Sequence, residues 1–230
     1  MSNINNELAK NTPVYKEELE VLKEQLPAAF GQDPLDVFYA DAERMGEAFT
    51  NPLKLAVGDN APLFSLPNAT GEQISLQDYL NKGAVVITFY RGSWCPFCNL
   101  VLNGYQRVLP EIKNLGANLI AISPQTPDNS LTIKEKNELK FEVLSDIGNH
   151  VAKQYVQIFE NSAASTNELL NAGIDLREFN DAENVELPVP GVFIIDQTGK
   201  VIFAKSEGGD YRNRVEAEEI LNALQELSRR

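Results

Sequence analysis

Apolar positions change their texture along the chain. Over the first fifty residues they recur at helical spacing, with Val14, Leu19, Val21, Leu22 and Leu26 on a common face. Thr12-Pro13 and Asp33-Pro34 each put a capping side chain before a proline at a first helical position. Residues 1–52 therefore read as an N-terminal helical extension. Such an extension serves packing or dimerisation, and a lid over a functional site is its other reading.

From Val57 the pattern shortens to β segments, and residues 53–230 read as one domain. Ala61 to Pro67 and Glu72 to Leu76 alternate apolar with polar residues around the turn Asn68 to Gly71, which predicts a hairpin followed by a short helix near Asp78 to Leu80. Ala84 to Phe89 is apolar at almost every position, as a central strand covered on both faces must be. A buried helix follows through Leu109, kinked at Pro110, and Ala117 to Ile122 is a second buried strand, so strand, helix and strand form a parallel crossover. Ser130 to Lys140 reads as helix, Phe141 to Leu144 as strand and Asn149 to Gln157 as helix. Residues 160–186 are polar and weakly periodic and read as an insertion. Gly191 to Asp196 and Lys200 to Ala204 make a hairpin, and a helix from Glu216 to Leu227 closes the chain.

Composition narrows the function. The formal charge of −13 over 230 residues disfavours nucleic acid and anionic membrane as partners. No run approaches the roughly 18 apolar residues of a membrane span, and Met1 to Glu7 lack a basic region followed by an apolar one, so a cytoplasmic protein is expected. The single histidine, His150, lies at what reads as the capped start of a helix, where a structural or surface role is expected. That leaves little material for a histidine-dependent hydrolase.

The only two cysteines are Cys95 and Cys98, in Tyr90-Arg91-Gly92-Ser93-Trp94-Cys95-Pro96-Phe97-Cys98. A strand that delivers a Cys-x-x-Cys pair to a helix start favours thiolate over thiol, because the helix N-terminus carries partial positive charge. Two cysteines cannot staple a chain of 230 residues, and with no third cysteine they are too few for a structural zinc centre, so neither a metal nor another cofactor is expected. Inert packing of buried thiols remains as the non-enzymatic reading. Trp94 is either core or part of a surface on which a partner disulfide docks.

In this order and context the segments Gly58 to Pro67, Phe89 to Cys98 and Phe193 to Lys200 resemble the peroxiredoxins, the alkyl hydroperoxide reductase and thiol-specific antioxidant branch of the thioredoxin fold. The resemblance covers about Val57 to Leu227. It implies an α/β, thioredoxin-like three-layer fold, a mixed sheet of four or five strands flanked by helices.

Departures from the family pattern are informative. Peroxiredoxins usually carry Pro-x-x-x-Thr-x-x-Cys, in which the cysteine attacks peroxide and the threonine hydroxyl orients it. Over this sequence the attacking cysteine falls on Cys98, the threonine position on Cys95 and the proline position on Arg91. The family arginine before the late strand corresponds to Pro190, so Arg91 is the candidate substitute guanidinium. Val189-Pro190 and Trp94-Cys95-Pro96-Phe97-Cys98 look instead like thioredoxin. That likeness implies a cis peptide at Pro190 facing the thiols, with an ordinary trans proline at a strand start as the plainer alternative.

Two mechanisms follow from the resemblance. Either Cys98 attacks a hydroperoxide and Cys95 condenses with the sulfenic acid, or Cys95, nearer solvent at the helix start, attacks a protein disulfide and Cys98 resolves it. Both end in a Cys95–Cys98 disulfide reopened by thioredoxin or a similar dithiol. The expected function is hydroperoxide reduction, with protein disulfide reduction as the alternative and a homodimer as a possible assembly.

Overall fold

A computed structural model describes residues 12–183 and 185–229. The reading of Met1 to Glu7 lies outside these residues. Two consecutive helices in contact with each other open the described chain, α1 (Tyr15–Phe30) and α2 (Gln32–Ala48). Gly31, at φ +81°, makes the one-residue turn between them, a backbone conformation that a Cβ disfavours. Helix α1 begins later than Thr12-Pro13 led us to expect. Its first N–H groups are capped from across the molecule: Tyr15 N donates to Glu216 at 2.7 Å and Lys16 N at 3.2 Å. Helix α2 in turn begins just before Asp33-Pro34, so Pro34 falls within the first turn, where an N–H is not needed.

The hairpin β1 (Ser65–Pro67) and β2 (Gln73–Ser75) pairs antiparallel and leads into the short helix α3 (Leu76–Leu80). The Asn68 carboxamide oxygen accepts from Thr70 N and Glu72 N, both at 3.0 Å, which fixes the turn. Next come β3 (Ala84–Phe89), α4 (Pro96–Arg107), α5 (Leu109–Asn114) and β4 (Ala117–Ser123). The break between α4 and α5 falls at Val108, two residues before Pro110. Helix α6 (Pro127–Lys136) and β5 (Glu142–Ser145) follow.

The expected helix over Asn149 to Gln157 is much shorter, a 3-10 turn at Ile147–Asn149 and one turn of α7 (Ala152–Tyr155). Val156 bridges to Leu53, and Gln157 N donates to Pro52 O at 2.7 Å, so non-local pairing takes those residues out of the helix. His150 is exposed.

Residues 160–183 and 185–186 carry secondary structure of their own. They form α8 (Ala163–Asn171) and α9 (Leu176–Asn180) between β6 (Ile158–Glu160) and β7 (Glu186–Pro188), which pair antiparallel. Each helix starts on a local cap, Ser165 N to Ser162 Oγ and Arg177 N to Asp175 Oδ1. Their periodicity is weak because each is short and buries few apolar side chains, chiefly Leu169 and Leu176. Helix α8 packs against α2, and Asp41 of α2 accepts from Ser162 N at 3.0 Å.

Strands β8 (Gly191–Ile195) and β9 (Val201–Lys205) and helix α10 (Ala217–Leu227) complete the fold. The central sheet has five strands in the order β5-β4-β3-β8-β9, parallel from β3 to β5 and antiparallel from β3 to β9. Strand alternation divides the core. Ala84 and Val86 of β3 join the cluster containing Cys95, Cys98 and helices α1, α2, α4 and α10. Val85, Ile87 and Phe89 face α3 and α7. The thiols thus lie at the carboxyl end of the central strand, on the face that α1 and α2 cover.

Candidate active site

Strand β3 ends at Phe89, and Tyr90 N still donates to Ile122 O at 3.0 Å before the chain leaves the sheet. Gly92 lets the loop pass close to its neighbours: a Cβ there would lie 2.7 Å from Gln125 Oε1 and closer still to the Trp94 indole nitrogen. Gln125 Oε1 accepts from Ser93 N. Cys95 is the N-cap of α4 with Pro96 as first helical residue, where its missing N–H costs nothing. Cys98 N and Asn99 N both donate to Cys95 O at 3.1 Å, and the Asn99 carboxamide donates to Ser93 O at 2.7 Å and Cys95 O at 2.9 Å. The thiol loop and the first helical turn are therefore latched together.

Both cysteines are free thiols with 0% exposure. This corrects the expectation that Cys95 lies nearer solvent. Trp94 and Phe97, with Leu26, Phe30 and Phe38 from the N-terminal helices, surround a cavity of about 40 Å³ that Cys95 lines. Cys98 is not among its lining residues.

Each sulfur faces its own guanidinium. Arg214 Nη2 donates to Cys98 Sγ at 3.2 Å, while its Nη1 donates to Tyr211 O and to Asn213 O. Arg91 Nη1 approaches Cys95 Sγ at 3.8 Å, and its Nη2 donates to the Asn161 carboxamide at 3.0 Å. The Arg91 guanidinium lies 3.6 Å from the Tyr211 ring centroid and 4.7 Å from that of Trp94, a cation–π arrangement in a desolvated setting. Arg91 thus serves Cys95, and the guanidinium on Cys98 comes from Arg214.

These charges split the two thiols. Burial pushes Cys98 up, but the hydrogen bond from Cys95, the Arg214 charge and the Arg91 charge outweigh it and hold Cys98 well below the ordinary thiol range. Burial and the adjacent Cys98 push Cys95 well above that range, despite Arg91 and Arg214. The pair gives up its first proton readily and its second reluctantly.

Pro190 is buried at the start of β8, opposite the end of the strand that leads to the thiols, and its carbonyl accepts from Ser206 Oγ at 2.6 Å. No peptide bond among the described residues is cis, so the thioredoxin-like expectation fails there. Val189 N is engaged by Gln157 O at 3.0 Å as β7 leads into β8, and trans is favoured by about 0.5–1 kcal/mol without a structural demand for cis.

Arg214, Tyr211 and Asn161 are the site residues that sequence reading missed. Asn161 lies in the insertion. Tyr211-Arg212-Asn213-Arg214 precedes a helix marked by the Glu216 and Glu219 capping box, but nothing local ties that segment to the thiols.

Known proteins give a consistent picture. The AhpC/TSA family profile matches residues 57–204. Peroxiredoxin Bcp of Escherichia coli (strain K12) is 36% identical over 105 residues, covering 46% of this chain and 65% of that protein. A putative peroxiredoxin of Mycobacterium tuberculosis (strain H37Rv) is 26% identical over 156 residues, covering 68% of this chain and 88% of the relative. In structure, peroxidoxin BcpB from Mycobacterium tuberculosis superposes with a TM-score of 0.58 at 22% identity, over 75% of this chain and 98% of that one. A PrxQ cysteine-to-serine mutant from Xylella fastidiosa gives 0.59 at 19% identity, over 76% and 98%. The shared feature is the thioredoxin-like fold. Helices α1 and α2 and Arg214 lie outside the matched residues 57–204.

Proposed function

The chain belongs to the AhpC/TSA family, and on that footing we propose that it reduces hydroperoxides through a Cys98 and Cys95 cycle. The observation that carries the reading is the buried contact of Arg214 Nη2 with Cys98 Sγ at 3.2 Å. It supports Cys98 as the nucleophile, since the thiolate is the reactive form and a low-pKa thiol supplies it at neutral pH.

The Cys98 thiolate attacks the terminal peroxide oxygen and the O–O bond breaks. An alcohol or water leaves with one added proton, and Cys98 becomes a sulfenic acid. Arg214 is placed to polarise the oxygen under attack. Cys95 occupies the position of the family threonine and serves in two ways. Its S–H donates to the Cys98 thiolate in the resting site; it then attacks the sulfenic sulfur, expelling water and forming the disulfide. An external dithiol, of the thioredoxin type, returns the pair to the reduced state.

The alternative of protein disulfide reduction led by Cys95 draws support from Cys95 lining the cavity. Its raised pKa argues against it as the attacking thiolate. Turnover separates the two. With a dithiol reductant present, the protein is expected to consume one hydroperoxide per dithiol. Reaction with peroxide no faster than free cysteine, together with rapid reduction of insulin disulfides, would overturn the peroxidase reading.

A further inference from the structure

Disulfide closure makes a demand on the backbone as well as on the sulfurs. One helical turn sets Cα atoms three residues apart at about 5 Å, inside the span of about 4.4–6.8 Å that a disulfide bridges. Cys95 can therefore reach Cys98 without unwinding α4, provided the first turn keeps its shape. The usual means of holding that turn are missing. Cys95 makes no side-chain cap, Pro96 has no N–H to give, and no acidic residue lies in the turn.

Three carboxamides supply the hold instead. Asn99 Nδ2 donates to Ser93 O at 2.7 Å and to Cys95 O at 2.9 Å. Asn137 Nδ2 donates to Asn99 Oδ1 at 2.8 Å, and Asn103 Nδ2 donates to Asn137 Oδ1 at 3.2 Å. The sense of this chain is forced. Backbone carbonyls only accept, so Asn99 must turn its NH2 to the loop and its oxygen to Asn137, which must then turn its own oxygen to Asn103. Aligned in one direction, the hydrogen bonds polarise one another. Asn99 and Asn103 lie one turn apart on α4, whereas Asn137 is the C-cap of α6. The thiol loop is thereby tied to a helix that carries no part of the cysteine motif.

We propose that Asn99 and Asn137 are positioning residues for disulfide closure. They fix the Cys95 carbonyl, and with it the direction of the Cys95 side chain, so that its sulfur meets the Cys98 sulfenic acid. Their role rests on the peroxidase reading above. In the step they serve, the Cys95 sulfur attacks the Cys98 sulfur, the S–S bond forms and the S–O bond breaks, and the hydroxyl leaves as water with the Cys95 proton. The Cys95 sulfur is oxidised and the Cys98 sulfur reduced, both to the disulfide level, so no outside oxidant enters. The guanidinium groups on the sulfurs belong to Arg91 and Arg214, and the carboxamides leave them as they are. Closure is therefore affected and the first oxidation is not.

Speed of closure decides the fate of the sulfenic acid. A Cys98 sulfenic acid that waits is open to a second peroxide, which takes it to sulfinic acid. Cys95 held in place closes first.

The test is a single turnover of the full reduced chain with no reductant present. Wild type, Asn99→Ala, Asn137→Ala and Asn68→Ala are mixed with a series of hydrogen peroxide concentrations, and the disulfide and sulfinic products are weighed by mass spectrometry. Alanine favours a helix more than asparagine does, so a loss in Asn99→Ala does not come from helix propensity. Asn137 borders an open groove, so its truncation leaves no core cavity and keeps the test available if Asn99→Ala does not fold. Asn68→Ala is the control for general loosening, since Asn68 fixes the turn of the hairpin that packs with the other core cluster. The peroxide concentration that gives equal amounts of the two products should fall about tenfold in Asn99→Ala, which loses both bonds to the loop, and about threefold in Asn137→Ala, which loses the bond that orients Asn99. The first oxidation should keep its wild-type rate in both, and Asn68→Ala should give the wild-type product ratio. Coincident product ratios in all four forms, or a shift in Asn68→Ala equal to that in the other variants, would overturn the proposal. A first oxidation no faster than that of free cysteine would overturn the peroxidase reading alone, because the product ratio is set after the sulfenic acid has formed.

Discussion

Replacing Arg214 by methionine keeps most of the side chain's apolar length and removes its charge beside Cys98. At 3.2 Å the bare Coulomb attraction between unit charges is about 5 kcal/mol for an effective dielectric of about 20. Desolvation of both partners takes back much of that. A hydrogen bond to a charged group has a net worth of about 1.5–3 kcal/mol, which corresponds to about 10- to 150-fold less thiolate at a pH where ionisation limits the reaction. A more basic thiolate is also a better nucleophile, which returns nearly half of the loss on a logarithmic scale, taking a Brønsted slope of about 0.4–0.5 from thiol exchange. The oxidation rate should fall about 4- to 16-fold, and its pH midpoint should move upward. The assay is stopped-flow oxidation across a pH series, followed by the fluorescence of Trp94, the only tryptophan. Arg214→Lys should recover part of the loss. A rate and midpoint equal to wild type in folded Arg214→Met would refute the electrostatic reasoning.

Other predictions follow from the same geometry. Gly92→Ala forces a Cβ against the Trp94 indole and Gln125 and should cost about 1–3 kcal/mol, read as a lower urea midpoint together with slowed oxidation; a wild-type midpoint would contradict it. Glu216 caps its own helix and also holds the first N–H groups of α1, so Glu216→Ala should destabilise by about 0.5–2 kcal/mol and increase amide hydrogen exchange in α1 as well as in α10. Reduced wild type, compared with the Cys95→Ser, Cys98→Ser double variant, should gain stability as the pH rises from the depressed titration of native Cys98 toward about 8.5, the ordinary thiol value. Over that window the unfolded chain binds a proton that native Cys98 has lost. Above it the trend should reverse, because native Cys95 keeps a proton that the unfolded chain gives up; a flat difference across the whole range would contradict the split between the two thiols.

Much of the fold was legible because it is written locally. The unbroken apolar run of β3 marks a central strand, and the Gln197-Thr198-Gly199 turn marks the β8 and β9 hairpin. Cys-x-x-Cys after the central strand marked the chemistry. What escaped depends on distant partners. The start of α1 is set by a carboxylate about 200 residues away. Cys95 looks like the solvent end of a helix until the N-terminal helices close over it. The guanidinium on Cys98 comes from a loop 116 residues further on, and no local pattern announces it. Arg91 was found because it is adjacent to the motif, yet its sulfur partner is Cys95.

In the proposed mechanism Cys98 is the thiolate that meets peroxide and Cys95 is its protonated neighbour. Reduced Cys95→Ser and Cys98→Ser, each mixed with one equivalent of hydrogen peroxide, quenched rapidly with a sulfenic-acid trap and weighed by mass spectrometry, test it directly. Cys95→Ser is expected to acquire the trapped sulfenic acid at Cys98 while Cys98→Ser remains unmodified on the same timescale. Rapid trapping on Cys95 in Cys98→Ser, with Cys95→Ser inert, would contradict it.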